Sequence, residues 1–503
     1  MAGFLLLIIL ISLWKNYKGR SVILILITLS GLIFASIALI QLNNKSILIF
    51  QNLYSIDPFS WFFKIIFLLC GGFVVLTLFQ SSEIVEKNIG EFCGILLSLV
   101  LGMFLLVSST NLLMLYLSLE FVSITSYVLT GFKQNDRRSA EAALKYVIYG
   151  GVVSGIMLFG MSYFYGLFGT LEIPAIKEGL IALFSTSSET GHPTSTQAIR
   201  LTVLAASVFT FAGFGYKMAA VPFHMWCPDV YEGSPTSFTA FLSVAPKIAG
   251  IAVFCRFLFI SFVENLKTFL LLTDIPWASI LGIMAVASMT LGNLSAISQR
   301  NIKRLLAYSG IAHCGYILMG LSALSVEGLF AFYFYSVVYL FMNLGAFIIV
   351  IAVRERTGRE DIDAYRGLGR REPFIAVAFT IFLFSLTGIP PLAGFVGKFY
   401  LFVAVINKAQ PWYYVLALIG VLNSVISLYY YAGIVRVMYF EKAEDPQPMQ
   451  IFKFQKLVAL ILLIPIFVLG IYWQPLSKKI NKSIQFATSF TSDSISRAMK
   501  NPE

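Results

Sequence analysis

The feature that most constrains this chain is a run of fourteen apolar stretches, most of them long enough to cross a bilayer as helices. A hydrocarbon core needs about 17–25 mostly apolar residues per crossing helix. Candidate spans lie at 1–14, 21–42, 59–80, 91–108, 110–132, 143–168, 200–221, 236–260, 277–298, 303–323, 327–353, 374–405, 411–438 and 456–474. With 58% of residues hydrophobic and 12% charged, no soluble core of this size would bury the apolar surface. The sequence therefore predicts an all-α polytopic membrane protein of about fourteen transmembrane helices.

Ala2 to Trp14 has no basic region before it and no small-residue cleavage site after it, so it reads as a first span and not as a leader. The basic residues fall mostly in alternate loops. One set holds Lys15, Lys18, Arg20, Lys133, Arg137, Arg138, Arg300, Lys303, Arg304 and the loop from Arg354 to Arg371, about twenty in all, against about five in the opposite set. By the positive-inside rule the richer side is cytoplasmic and both termini lie outside; the bacterial inner membrane is the expected location. The net charge of +11 then reflects topology and not nucleic-acid binding. Ser185–Gln197, which contains His192, reads as a flexible link, and Arg354–Glu372 as a solvated connector.

Ionisable residues within apolar spans are costly, by about 2.5–3.5 kcal/mol each on insertion scales, and are functional candidates for that reason. Glu120 sits mid-span in LLMLYLSLEFVSITSY (112–127). Lys217 lies in TFAGFGYKMAAVP (210–222), where Gly213, Gly215 and Pro222 predict a locally opened helix. Lys247 follows Pro246 in AFLSVAPKIAG (240–250), and Lys398 follows Pro390 and Pro391 by two turns. The bland alternative for each lysine is snorkelling to the interface. Desolvation opposes the charged ammonium while a carboxylate favours it, so a lysine between the two effects can take up and release a proton. Glu120 is the natural partner of Lys217. His313, in YSGIAHCGY (308–316), is either a relay or a satisfied core histidine. His224 belongs either to an entry path or to a helix end, and Lys145 is either an interface anchor or a polar link.

No phosphate-binding loop, dinucleotide fingerprint or paired haem histidines occur, and the five cysteines are scattered. No metal or cofactor is expected in this chain, so a partner must supply the driving energy. Lys217 and Lys398 each lie in a Gly/Pro-interrupted span, five spans apart. Interrupted spans at matching positions point to repeats, and an odd offset requires the two halves to be inverted.

The run VPFHMWCPDVYEGSPT (221–236) resembles the signature of the antiporter-like subunits of respiratory complex I, NADH:quinone oxidoreductase, in the N-type form. SAEAALKY (139–146), RNIKRLLAYS (300–309) and LTGIPPLAGF (386–395) are similar to the same family, and the likeness runs from about residue 90 to 440. The resemblance implies fourteen spans with two inverted five-helix repeats and broken helices at spans 7 and 12. The expected divisions are 1–90 (three N-terminal helices), 91–260 (first repeat), 277–440 (second repeat) and 441–503 (last helix and polar tail). It also implies proton translocation through Glu120, Lys217, Lys247, Lys398 and His313. FMN, iron–sulfur clusters and quinone would reside in partner subunits of the membrane and hydrophilic arms. A subunit of a multi-subunit cation/proton antiporter shares the fold and the lysines and is the alternative. A pure scaffold and a ferredoxin-linked relative of complex I are further readings.

Overall fold

The computed structural model describes residues 1–13, 19–43, 45–186, 193–265, 270–271, 275–443 and 447–489. His192 and the middle of the expected 185–197 link lie outside them. The first helices are α1 (Ala2–Leu13), α2 (Arg20–Gln41), α3 (Pro58–Thr77), α4 (Ile89–Ser108) and α5 (Leu112–Thr130). They are followed by α6 (Arg137–Phe168), α7 (Ile173–Thr186), α8 (Pro193–Met218), α9 (Cys227–Gly233) and α10 (Thr236–Phe262). Next come α11 (Trp277–Ile297), α12 (Ile302–Ser322), α13 (Val326–Thr357), α14 (Leu368–Arg371) and α15 (Pro373–Thr387). The chain closes with α16 (Ala393–Ile406), α17 (Pro411–Phe440), α18 (Lys453–Ile471) and α19 (Gln474–Ser489).

Twelve of these helices are long and apolar enough to cross a membrane on their own. The short α1 and the consecutive pair α15–α16 bring the crossings to the expected fourteen. Local chemistry sets several boundaries. Asp57 and Ser60 form a reciprocal cap at the start of α3, with Pro58 at its first position. Asn111, Asp136, Asn301 and Ser325 cap α5, α6, α12 and α13 with their side-chain oxygens. The centre of the bundle is α10, whose best 18-residue window is wholly buried, with α12 and α13 beside it. By contrast α2, α6 and α18 bury only a third of theirs and form the rim.

Several expectations change. Two small antiparallel hairpins, Ile47–Ile49 with Tyr54–Ile56 and Val263–Asn265 with Leu270–Leu271, interrupt an otherwise helical chain. Helix α7 was not foreseen, and the described parts of 185–197 are helical, because α8 begins well before the apolar run that marks its span. Gly213 and Gly215 do not open α8. A Cβ at Gly213 would collide with the Met157 sulfur, and one at Gly215 would stand 2.6 Å from the Phe223 ring, so both glycines serve close packing. The helix instead stops at Met218, and Lys217 lies in its last turn. Pro246 is accommodated inside a continuous α10. The 354–372 segment is more than a solvated connector: Ala364, Tyr365 and Leu368 are buried, and Tyr365 stacks on Phe379. The expected polar tail begins as a helix, α19, packed on α3 and α13, with Lys479 over the Trp61 ring at 4.4 Å.

Candidate functional site

Five lysine side chains are buried among the described residues, Lys64, Lys217, Lys247, Lys303 and Lys398, and three of them are the lysines expected inside the spans. Lys217, Lys247 and Lys398 are 1%, 2% and 3% exposed, which removes snorkelling to the headgroups as an account of them. Two sit at interrupted helices, and both interruptions contain a cis X–Pro peptide. Lys217 occupies the carboxyl end of α8, immediately before the 219–226 turn. Lys398 lies in the second half of its broken span, but its Nζ reaches back to the Thr387 carbonyl that ends α15, at 2.7 Å. The Lys398 ammonium therefore meets the negative end of a half-helix, where a cation is stabilised without a carboxylate. Gly388 makes this arrangement feasible. Its φ of 95° suits glycine, and a Cβ there would stand 3.0 Å from Lys398 Cδ.

The atoms in direct contact with these ammoniums are polar but uncharged. Lys217 Nζ donates to Ser123 Oγ at 3.2 Å, within one turn of Glu120 on α5. Glu120 is half-buried, accepts a hydrogen bond from Ser154, and lies within Coulombic reach of Lys217 without contacting it. Lys217 Cβ is 3.1 Å from where a Cβ on Gly250 would stand, one turn from Lys247 along α10. Lys247 Nζ sits 5.1 Å from the centre of the Tyr231 ring and has no hydrogen-bond partner among the described residues. It fills the space beside Gly310, as does the Tyr339 hydroxyl.

From there the line continues. Tyr339 donates to the Ser243 carbonyl at 3.2 Å, and Asn343 donates to Ser243 Oγ at 2.7 Å. His313 is 3% exposed; its Nδ1 pairs with Tyr335 Oη at 2.6 Å and its ring lies 5.3 Å from that of Tyr339. Tyr316 links His313 (rings 5.9 Å apart) to Lys398, whose Nζ is 4.3 Å from the Tyr316 ring and donates to Ser424 Oγ at 2.8 Å. The orphaned hydroxyls of Tyr231 and Tyr316 and the orphaned Lys247 ammonium mark polar, enclosed places of the kind that hold internal water.

His224 and Lys145 lie apart from this line. His224 is buried in the 219–226 turn, and burial pulls its imidazole below the usual range. Lys145 stands on the rim, paired to Asp229 at 2.7 Å and Glu141 at 2.8 Å.

Lys133, Lys303, Arg354 and Glu360, which the sequence places only among loop charges, form with Glu83 a second, ionic cluster at the same end of the bundle. Glu83 contacts Lys133 at 2.8 Å and Arg354 at 3.2 Å; Glu360 contacts Lys303 at 3.1 Å and Arg354 at 2.9 Å. Burial alone would raise the Glu360 carboxyl, but Lys303, Lys133 and Arg354 outweigh it and hold it at about 2. Glu83 is lowered by the same three cations against the same cost of burial. Near the opposite end, Arg256 grips both oxygens of Asp57 at 2.7–2.8 Å. An arginine within an apolar run and an aspartate before Pro58 were the available signals for that pair.

Residues 109–427 match the family described as NADH:quinone oxidoreductase/Mrp antiporter, TM. NADH-quinone oxidoreductase subunit N of Anaeromyxobacter sp. (strain Fw109-5) is 47% identical over 500 residues, covering 96% of this chain and 94% of that protein. NADH-quinone oxidoreductase subunit N 2 of Sorangium cellulosum (strain So ce56) is 46% identical over 444 residues, covering 87% and 85%. A chain of respiratory complex I from Thermus thermophilus with bound aureothin superimposes with a TM-score of 0.73 at 27% identity, covering 94% of this chain and 98% of that one. A chain of the Mrp complex from Dietzia sp. DQ12-45-1b is similar in fold alone, with a TM-score of 0.80 at 19% identity, covering 98% and 96%.

Proposed function

This chain belongs to the NADH:quinone oxidoreductase/Mrp antiporter transmembrane family, and from that premise we propose that it is a proton-translocating membrane subunit of NADH:quinone oxidoreductase. It is an integral multi-pass protein that works among other membrane subunits. FMN, iron–sulfur clusters and quinone belong to those partners and to the hydrophilic arm, and the redox chemistry there drives this chain.

One observation carries the reading at the level of residues. Lys217, Lys247, His313 and Lys398 are all buried in the middle of the bundle, held by hydroxyls, carbonyls and rings, and none contacts a carboxylate among the described residues. A cation held this way is poorly compensated, so a small change in nearby charge moves its proton. Glu120 supplies such a charge for Lys217. Repulsion between neighbouring ammoniums makes it costly for all to be charged at once, which favours stepwise transfer over static binding. The catalytic set is therefore Glu120, Lys217, Lys247, His313 and Lys398, with His224 in the entry turn and Lys145 on the rim.

The repeats at 91–260 and 277–440, flanked by 1–90 and 441–503, belong to the same proposal, supported by interruptions at the seventh and twelfth crossings. The side bearing Lys133, Lys303 and Arg354 is cytoplasmic and both termini lie on the other face of a bacterial inner membrane; the gathering of these basic loops at one end supports this. A role in a cation/proton antiporter is consistent with the joint family and the fold likeness and is the weaker reading, because the relatives at 46–47% identity are NADH-quinone oxidoreductase subunits N.

Extraction in mild detergent followed by identification of co-purifying chains tests the assignment. Iron–sulfur and quinone-binding partners are expected; their absence, with sodium transport in the isolated assembly, overturns it. Lys217→Ala tests the residues. The complex assembles, while NADH-driven proton uptake into inverted vesicles falls at least about tenfold.

A further inference from the structure

Between the ionic rim and the buried Lys247 lies the seven-residue helix α9. Its outer positions Asp229 and Glu232 face a polar cavity of about 220 Å³ lined also by Arg138, Glu141, Lys145 and Arg304. Its inner positions Cys227, Val230 and Tyr231 are wholly buried, and the Tyr231 ring lies against Lys247 Nζ. A helix of two turns that is wet on one side and touches a buried ammonium on the other is a thin barrier.

The two ends of α9 are held differently. At its carboxyl end, the buried Lys303 ammonium donates to the carbonyls of Glu232 at 2.8 Å and Ser234 at 2.9 Å, and Glu83 accepts from the Thr236 amide at 2.6 Å. The amino end follows a turn whose last residue, Trp226, is buried, stacks on Tyr146 at 4.5 Å and donates its indole N–H to the Tyr216 carbonyl at 3.1 Å, while Met225 beside it is 62% exposed. What seats the outer face is ion pairing on the rim. Arg304 contacts Asp229 at 2.5 Å and Glu232 at 2.9 Å, and Lys145 contacts Asp229 at 2.7 Å. These side chains are about a quarter to two-fifths exposed, so water competes with the pairs and they are breakable.

We propose that α9 is a movable plug between the rim cavity and Lys247, and that Asp229 is the positioning residue that keeps it seated. With Lys145 and Arg304 both engaged, Tyr231 covers Lys247 and separates it from the cavity. When Asp229 loses either partner, α9 rolls between its two held ends, Tyr231 leaves Lys247 and water reaches the ammonium. The proposal rests on Lys247 carrying protons, but its own barrier can be measured separately.

Cys227 provides the measurement, because it is buried on the inner face of α9. Inverted vesicles bearing the whole complex are treated with 2-aminoethyl methanethiosulfonate, and the adduct at Cys227 is quantified by peptide mass spectrometry against Cys255 inside α10. Asp229→Asn is expected to raise the rate of labelling about tenfold, and Asp229→Glu to restore it. NADH turnover is expected to raise the wild-type rate as well. Equal rates in wild type and Asp229→Asn overturn the plug; if that variant does not assemble, equal wild-type rates with and without NADH overturn it. Fast labelling in Asp229→Asn beside full pumping in Lys247→Ala keeps the plug and sinks the role given to Lys247.

Discussion

The molecule treats charge in opposite ways in two regions, the ionic rim and the series of buried lysines. On the rim, Glu83, Lys133, Lys303, Arg354 and Glu360 interlock, with every carboxylate–cation contact between 2.8 and 3.2 Å. Along the inner line, Lys217, Lys247 and Lys398 have no carboxylate within contact distance among the described residues and lean on Ser123, a tyrosine ring and the end of α15. Desolvation is severe in both places. In the first it is met by opposite charge, which fixes a geometry; in the second it is met by dipoles, which leave protonation adjustable. On the function proposed above, the difference separates charges that hold the fold from charges that move protons.

Substituting one lysine in each region is the strongest way to break this contrast. Lys303 is wholly buried and satisfies two carbonyls and a carboxylate, so Lys303→Ala leaves Glu360 under-compensated and the end of α9 without its donor. Removing one partner of a buried pair costs about 3–5 kcal/mol. The chain is expected to melt at much lower temperature in detergent and to accumulate poorly in membranes. Lys398→Ala is expected to do the reverse: assembly and melting stay near wild type while NADH-driven pumping is lost. If Lys398→Ala destabilises as much as Lys303→Ala, the proposed division between holding and moving charges fails.

Much of this was legible in the sequence because bilayer crossings and isolated ionisable residues are both conspicuous in an apolar chain. Lys217, Lys247, Lys398, Glu120 and His313 stood out by contrast with their neighbours. The rim did not. Lys303 and Arg354 were counted as topology-setting loop charges, since sequence carries no sign of which loops converge. Likewise Gly213 and Gly215 looked like helix breakers and proved to be packing contacts, because the deciding partners, Met157 and Phe223, come from α6 and from the turn beyond the break. The extension of α8 back to Pro193 also went unread, as its first turns are polar and carry no span signal.

Acid titration sharpens the rim half of the comparison with a smaller effect. The folded Glu360 carboxyl lies at about 2, below the unfolded value near 4.3. A depressed carboxyl contributes stability that is fully present above the unfolded value and is lost as pH falls through the folded one. The melting difference between wild type and Glu360→Gln should therefore be constant above about pH 5 and shrink between about pH 4.5 and 2. A difference that stays unchanged across that window would mean that Glu360 is not held by Lys303, Lys133 and Arg354.

The smallest effect separates pairing from burial. Arg436 and Glu441 form a contact of 3.3 Å at the end of α17, but the arginine side chain is 72% exposed. Exposed pairs contribute about 0–1 kcal/mol because water screens them and two long side chains lose freedom in forming them. Arg436→Ala is expected to shift the melting temperature within measurement scatter and to leave pumping intact. Since this pair and the Lys303–Glu360 pair have similar contact lengths, 3.3 and 3.1 Å, distance cannot explain a large gap between their effects. Desolvation can: Lys303 left water completely, so its partners are structural necessities, whereas Arg436 never did. A loss at Arg436 comparable to that at Lys303 would show that something other than burial, such as a partner chain resting on the end of α17, makes rim charges matter.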